Sequence, residues 1–334
     1  MSFTKLTALT RRTLLGTAAA ALVASAGLLP TAPARAADVT IPIIVKDTTS
    51  FYWQIVLAGA RAAGKDLGVT VPELGAQAET DVNGQVSILE NAVSGSPAAI
   101  VIAPTEKDAL GAPITEAAAS VPIIGIDSSA DSDKFSSFLT TDNVQGGRIA
   151  ADGLAAAIAA KHGGKAEGDV ALITNAPGAG SLEQRKEGFV AQLKEKYPGL
   201  NLVADKYADG QASTGLNITT DLLTANPNLV GIFASNLIMA QGAGQAVAEN
   251  KAQDKVALVG FDSDDKLVSL LREGVISALV VQDPYRMGYD GIKTALAVSK
   301  GETVEKNVDT GANLITTANM DEPRSQELLN PKVN

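Results

Sequence analysis

The chain contains no cysteine, which removes disulfides, thiolate nucleophiles and cysteine-ligated metals in one step. It has a single histidine, His162, in the run Lys161-His162-Gly163-Gly164, where a helix end gives an imidazole an ordinary role as partner of the dipole. No HExxH, P-loop or paired-histidine spacing occurs. Gly178-Ala179-Gly180 and Gly242-Ala243-Gly244 are glycine-poor relatives of a dinucleotide fingerprint, and neither completes one after a strand. Hydrolytic or transfer chemistry needs an activated nucleophile, a poised acid/base pair or a metal. The expectation is therefore a protein that is not an enzyme and carries no cofactor or metal. The one enzymatic alternative is a glycosidase-like carboxylate pair at Asp127 and Asp262, for which the separation decides.

Long hydrophobic runs are also missing beyond the N-terminus, so no permanent membrane helix is expected. Residues 1–36 read as an export signal removed before Ala37: Lys5, Arg11 and Arg12 form a basic start, Leu14 to Leu29 is apolar, and Ala34-Arg35-Ala36 is a small-x-small cleavage site. Thr10-Arg11-Arg12-Thr13-Leu14-Leu15 resembles a twin-arginine signal, and an ordinary Sec signal with two adjacent arginines fits equally. Either route leads to the periplasm. The signal holds Lys5, Arg11, Arg12 and Arg35 and no acid, so a net charge of −10 becomes −14 without it. Such an acidic surface repels phosphate backbones, which excludes nucleic acid as a partner.

What is present is a βα rhythm. Short β-branched runs, with candidate strands at 39–46, 69–74, 98–103, 122–126 and 136–140, then 168–174, 200–206, 229–234, 255–261 and 276–281, alternate with Ala-rich helical stretches. After Phe51, the residues Tyr52, Val56, Gly59/Ala60, Ala63 and Leu67 form one helical stripe. Ala98 to Ile102 is apolar on both strand faces, as in a parallel strand covered on both sides. The fold class is α/β, with two Rossmann-like lobes of parallel sheet. The first lobe is expected over 38–141 plus 283–316, the second over 142–282, with 317–334 left as a coil tail. Ligands of such sheets bind at the carboxyl ends of the strands, in the cleft between the halves.

Several stretches in order resemble the type I periplasmic sugar-binding family, in particular its ribose-binding branch. They are Ser50-Phe51-Tyr52-Trp53 leading to Ala58-Gly59-Ala60, Ile126-Asp127, Thr141-Asp142-Asn143 with Gly146-Gly147, Arg185-Lys186-Glu187-Gly188-Phe189, Phe233-Ala234-Ser235-Asn236, Val259-Gly260-Phe261-Asp262 and Val281-Gln282-Asp283-Pro284. The resemblance implies a multi-strand hinge, a monosaccharide or sugar alcohol held between the lobes, and delivery to an ABC permease by a monomer. It also allows docking to a chemoreceptor. Carried over by position, it puts ligand contacts at Ser50, Tyr52, Trp53, Asp127, Arg185, Asn236, Asp262 and Gln282.

These residue types suit a polyol, whose hydroxyls both donate and accept. Asp127 and Asp262 are acceptors, Arg185, Asn236 and Gln282 donors, and Arg185 can fork across two oxygens. Each has a structural alternative: Asp127 and Asp262 as helix N-caps, Ser50 as the cap of the helix starting near Phe51, Asp142-Asn143 as a cap and crossover, and Tyr52 as a core residue. Trp53 falls off the apolar stripe, which favours a stacking wall. The chain departs from the ribose-binding pattern at Lys46, Ser128, Gly210 and Leu237. Losing an arginine and an aromatic there argues against ribose and for a hexose or acyclic sugar alcohol. Lys46 and Ser128 join the candidates, Lys46 with the alternative of a solvated charge.

Overall fold

Val- and Ile-rich runs bury well on both faces of a parallel sheet, and here they build two such sheets. The computed structural model describes residues 39–331 and Val333; the export signal expected over 1–36 lies outside the described residues. The first half contributes β1 (Ile43–Asp47), β2 (Glu73–Ala76), β3 (Ile100–Ile102), β4 (Ile123–Ile126) and β5 (Ser137–Thr140). The second contributes β6 (Gly168–Thr174), β7 (Leu200–Tyr207), β8 (Leu229–Ala234), β9 (Ala257–Phe261) and β10 (Ala278–Gln282). Two late strands, β11 (Asn307–Asp309) and β12 (Ala312–Ile315), complete the sheets, whose orders are β11-β5-β4-β3-β1-β2 and β12-β10-β9-β8-β6-β7. Every residue of β1, β3, β4, β9 and β10 is buried.

Helices cover both faces: α1 (Phe51–Leu67), α2 (Val82–Ser94), α3 (Gly111–Ala117), α4 (Asn143–Lys161), α5 (Gly180–Lys196), α6 (Ala212–Ala225), α7 (Leu237–Glu249), α8 (Asp265–Arg272), α9 (Pro284–Ser299) and α10 (Pro323–Leu329). The stripe on α1 is buried at Tyr52, Val56, Gly59, Ala60 and Ala63, whereas Leu67 at its end is exposed. His162 ends α4, and its Nε2 lies 2.9 Å from the Lys255 carbonyl oxygen.

The chain passes between the sheets three times, after β5, after β10 and after β11. The crossings are tied together: Thr310 N donates to Thr140 O at 2.9 Å, and Asp142 N to Asp309 Oδ1 at 3.0 Å. Two sequence expectations change here. Residues 312–315 do not stay with the first half; β12 pairs antiparallel with β10, Leu279 opposite Ile315 and Gln282 opposite Ala312. Gly311, at φ 84°, turns the chain over between the two sheets, a backbone conformation that favours glycine. The tail is not all coil either: α10 starts at Pro323, which fits a first helical turn, and buries Ser325, Leu328 and Leu329.

Close helix pairs hold each half together through reciprocal glycines. A Cβ on Gly59 would overlap the Tyr285 carbonyl oxygen and one on Gly288 that of Val56, so α1 and α9 meet backbone to backbone. Gly147 meets the Arg185 carbonyl and Gly188 that of Val144 in the same way, which brings α4 against α5. Gly188→Ala or Gly288→Ala must push two backbones apart, and each should cost ~1–3 kcal/mol or more in denaturant unfolding. Wild-type stability in both variants would contradict this packing.

Candidate functional site

Two aspartates leave the two sheets by the same backbone device. Asp127 follows β4 and Asp262 follows β9, and both sit in the left-handed region, at φ 61° and 69°. Non-glycine residues seldom adopt this conformation, and where they do it often marks a functional site. Each amide is fixed to the neighbouring strand, Asp127 N to Leu139 O at 3.0 Å and Asp262 N to Val280 O at 2.8 Å. The N-cap alternative does not hold for either: no helix follows Asp127 before β5, and α8 is capped by Asp264, whose Oδ1 accepts from Leu267 N at 2.7 Å.

Around Asp127 the first lobe assembles a buried ion pair. The Lys46 Nζ lies 3.2 Å from Asp127 Oδ2, and the Tyr52 hydroxyl donates to Oδ1 at 2.8 Å. Lys46 is only 4% exposed, so the solvated-charge alternative fails: the end of β1 faces the end of β4, and Asp127 supplies the partner that burial demands. Burial, then the Asp127 charge, holds the Tyr52 phenol well above its usual range, which keeps it a donor. Tyr52 thus belongs both to the core stripe and to the site. Trp53 is buried and meets Tyr52 edge to face, with ring centroids 4.9 Å apart. Ser50 precedes α1 without capping it; its hydroxyl donates to Asp47 Oδ2 at 2.7 Å.

Arg185 organises the second lobe. Its Nε donates to Asn143 Oδ1 at 2.8 Å and its Nη1 to Ser235 O at 2.9 Å, while the guanidinium lies 3.7 Å above the Phe261 ring. Phe261 is itself backed by Phe233 and Phe189. Asn143 therefore orients Arg185, and Asp142 is the α4 cap, accepting from Gln145 N at 2.9 Å. Asn236 caps α7 through Oδ1, which leaves its side-chain NH2 available. Gln282 donates to Asp262 Oδ1 at 2.8 Å, and its own Oε1 is buried with no partner among the described residues.

Lys46, Ser50, Tyr52, Trp53, Asp127, Arg185, Asn236, Asp262 and Gln282 all line one small pocket between the lobes, a cavity of about 30 Å³. Ser128 does not line it. Its Oγ accepts from Ser181 N at 3.0 Å across the cleft, so it joins the lobes. Gly210 is at φ 87°, and a Cβ built there would meet Thr80 of the opposite lobe at 3.7 Å. Sequence reasoning missed Glu79, which also lines the pocket. The signal was its place: the polar segment Gln77–Thr80 follows the carboxyl end of β2. Among the described residues, no group of three or more His, Cys, Asp or Glu is placed to hold a metal ion.

The sequence pattern of the periplasmic binding protein domain matches residues 41–303. The chain is 31% identical to the ribose import binding protein of Escherichia coli K12 over 299 residues, 89% of this chain and 97% of that protein. It is 28% identical to the D-allose-binding periplasmic protein of the same organism, over 78% of this chain and 85% of that one. Among solved structures, a carbohydrate transporter solute binding protein from Agrobacterium radiobacter in complex with D-arabinose is 77% identical, with a TM-score of 0.87 over 88% of this chain and 99% of that one. A solute binding protein of an ABC transporter from Agrobacterium vitis with bound D-fucose is 37% identical, with a TM-score of 0.82 over 87% and 99% of the two chains.

Burial pushes the Asp262 carboxyl up to about 6, against the pull of Arg185 and the Gln282 hydrogen bond. The folded protein thus holds this proton more tightly than the unfolded chain does. Below pH ~4 both forms are protonated and the burial has no cost; the cost grows as pH rises and is complete above about 6. In unfolding experiments the stability difference between Asp262→Asn and wild type should therefore move in the variant's favour by roughly 2–3 kcal/mol from pH 4 to 7. A difference that stays constant with pH would contradict it.

Proposed function

The chain belongs to the periplasmic binding protein domain family and is, by family and by its two-lobed type I fold, a periplasmic sugar-binding protein and not an enzyme; on that footing we propose that its ligand is D-arabinose or an aldose of the same size, delivered to an ABC importer. The basic start and small-x-small site of residues 1–36 support export of the chain.

The observation that carries the reading of the site is the unfinished hydrogen bonding at the strand ends. Among the described residues, Asp262 keeps one oxygen without a protein partner, Gln282 Oε1 is buried without one, and Arg185 Nη2 and the Asn236 amide offer donors beside them. Vicinal hydroxyls, each both donor and acceptor, complete such a set. Trp53, Leu182, Leu237 and Ile238 supply apolar surface for the carbon-bound hydrogens of a ring.

The departures at Lys46 and Ser128 do not open the site. Lys46 fills its corner and pairs with Asp127, and Ser128 bonds to Ser181. Both favour a compact ring over a long chain. The similarity to the D-arabinose complex points the same way.

Titration calorimetry of the mature protein against D-arabinose, D-ribose, D-fucose and the C5 and C6 sugar alcohols tests this reading. D-arabinose should bind most tightly, and Arg185→Lys, which keeps the charge and loses the planar fork, should weaken it by about 10- to 100-fold. Tighter binding of an alditol, or no heat with any aldose, would overturn the ligand assignment.

A further inference from the structure

The two carboxylate oxygens of Glu79 meet donors from opposite lobes. Oε1 accepts from Trp53 Nε1 at 2.7 Å, and Trp53 stands on α1 in the first lobe as one wall of the pocket. Oε2 accepts from Asn175 Nδ2 at 2.9 Å, and Asn175 follows β6 in the second lobe. Asn175 is fully buried, and its carbonyl is held by Ala208 N at 2.8 Å, so the amide is presented on a fixed support. Two further bonds across the cleft, Ser181 N to Ser128 Oγ and Lys107 N to Gly178 O, join neutral groups. Burial raises the Glu79 carboxyl while the Lys46 charge and the Trp53 hydrogen bond favour its ionised form; as a carboxylate it makes a stronger bond to Asn175 than a neutral acceptor would.

We propose that Glu79 is a positioning residue that latches the lobes: it sets the Trp53 wall, grips Asn175, and thereby governs how long the sugar stays bound. The inference rests on sugar binding in this cleft and goes beyond it, because Glu79, besides lining the pocket, acts by joining the lobes. The bond to Asn175 exists only when the lobes are closed, so it stabilises the closed state and leaves the open one unchanged. A sugar enters the open state and leaves by way of it. Loss of the latch therefore raises the dissociation rate and leaves the association rate alone. Size selection follows as well. A ligand that pushes Trp53 outward, or keeps the lobes slightly apart, forfeits the bond and dissociates faster.

Trp53 is the only tryptophan in the chain, so its fluorescence reports on this place alone. Stopped-flow mixing with D-arabinose, followed through Trp53, gives both rate constants for wild type, Asn175→Ala, Asn175→Asp and Glu79→Gln. Asn175→Ala should dissociate about 10-fold faster with an association rate within about twofold of wild type. Asn175→Asp sets two carboxylates against each other and should dissociate faster still. Glu79→Gln keeps one acceptor and turns its amide on the second donor, which should raise the dissociation rate and shift the Trp53 emission. The melting temperatures of the sugar-free variants should match wild type. Wild-type dissociation rates in both Asn175 variants would overturn the latch while sugar binding stands. So would faster dissociation matched by a general loss of stability. Wild-type protein that responds to no aldose would remove the functional reading, and the latch with it.

Discussion

A charge buried between two lobes has to find its partner there, and most of the site follows from this demand. Lys46 and Arg185 are buried cations, one in each lobe, and Asp127 and Asp262 are the buried carboxylates set near them. Lys46 and Asp127 satisfy each other directly. Arg185 reaches Asn143, the Ser235 carbonyl and the Phe261 ring, and acts on Asp262 through charge. The second carboxylate is therefore less well compensated than the first, which leaves its proton affinity raised and one oxygen open to a hydroxyl donor.

The scaffold supplies the precision that this arrangement needs. Both aspartates are placed by left-handed turns at the carboxyl ends of buried parallel strands, the position at which open α/β sheets bind ligands. Glycine pairs draw α1 onto α9 and α4 onto α5, and the second pair fixes Arg185 beside Asn143. Three crossings, cross-tied by Thr310 and Asp142, let the two halves share one cleft. A few bonds then join the lobes across the mouth of the cleft.

The central strands β1, β3, β4, β9 and β10 were legible because apolar runs buried on both faces are hard to place elsewhere than in a covered parallel sheet. The late strands β11 and β12 were not. Ala312–Ile315 is too short to declare its sheet, and its antiparallel pairing depends on the turn at Gly311. The polar composition around Pro323 hid a helix that buries two leucines on a single face. At the site, residue types suggested Asp127, Asp262 and Arg185, but the choice between cap and cleft depended on a backbone angle that no residue type displays. Lys46, Ser128 and Glu79 were harder still. Each is defined by a partner distant in the chain, Asp127, Ser181 and Asn175 respectively.

The most direct test is a crystal structure of the mature protein grown with D-arabinose. The account predicts one sugar between the lobes, with Asp127 and Lys46 on one side of the ring and Arg185, Asp262 and Gln282 on the other. A sugar bound to one lobe only, or lodged in the groove between Tyr285 and Arg324, would contradict it.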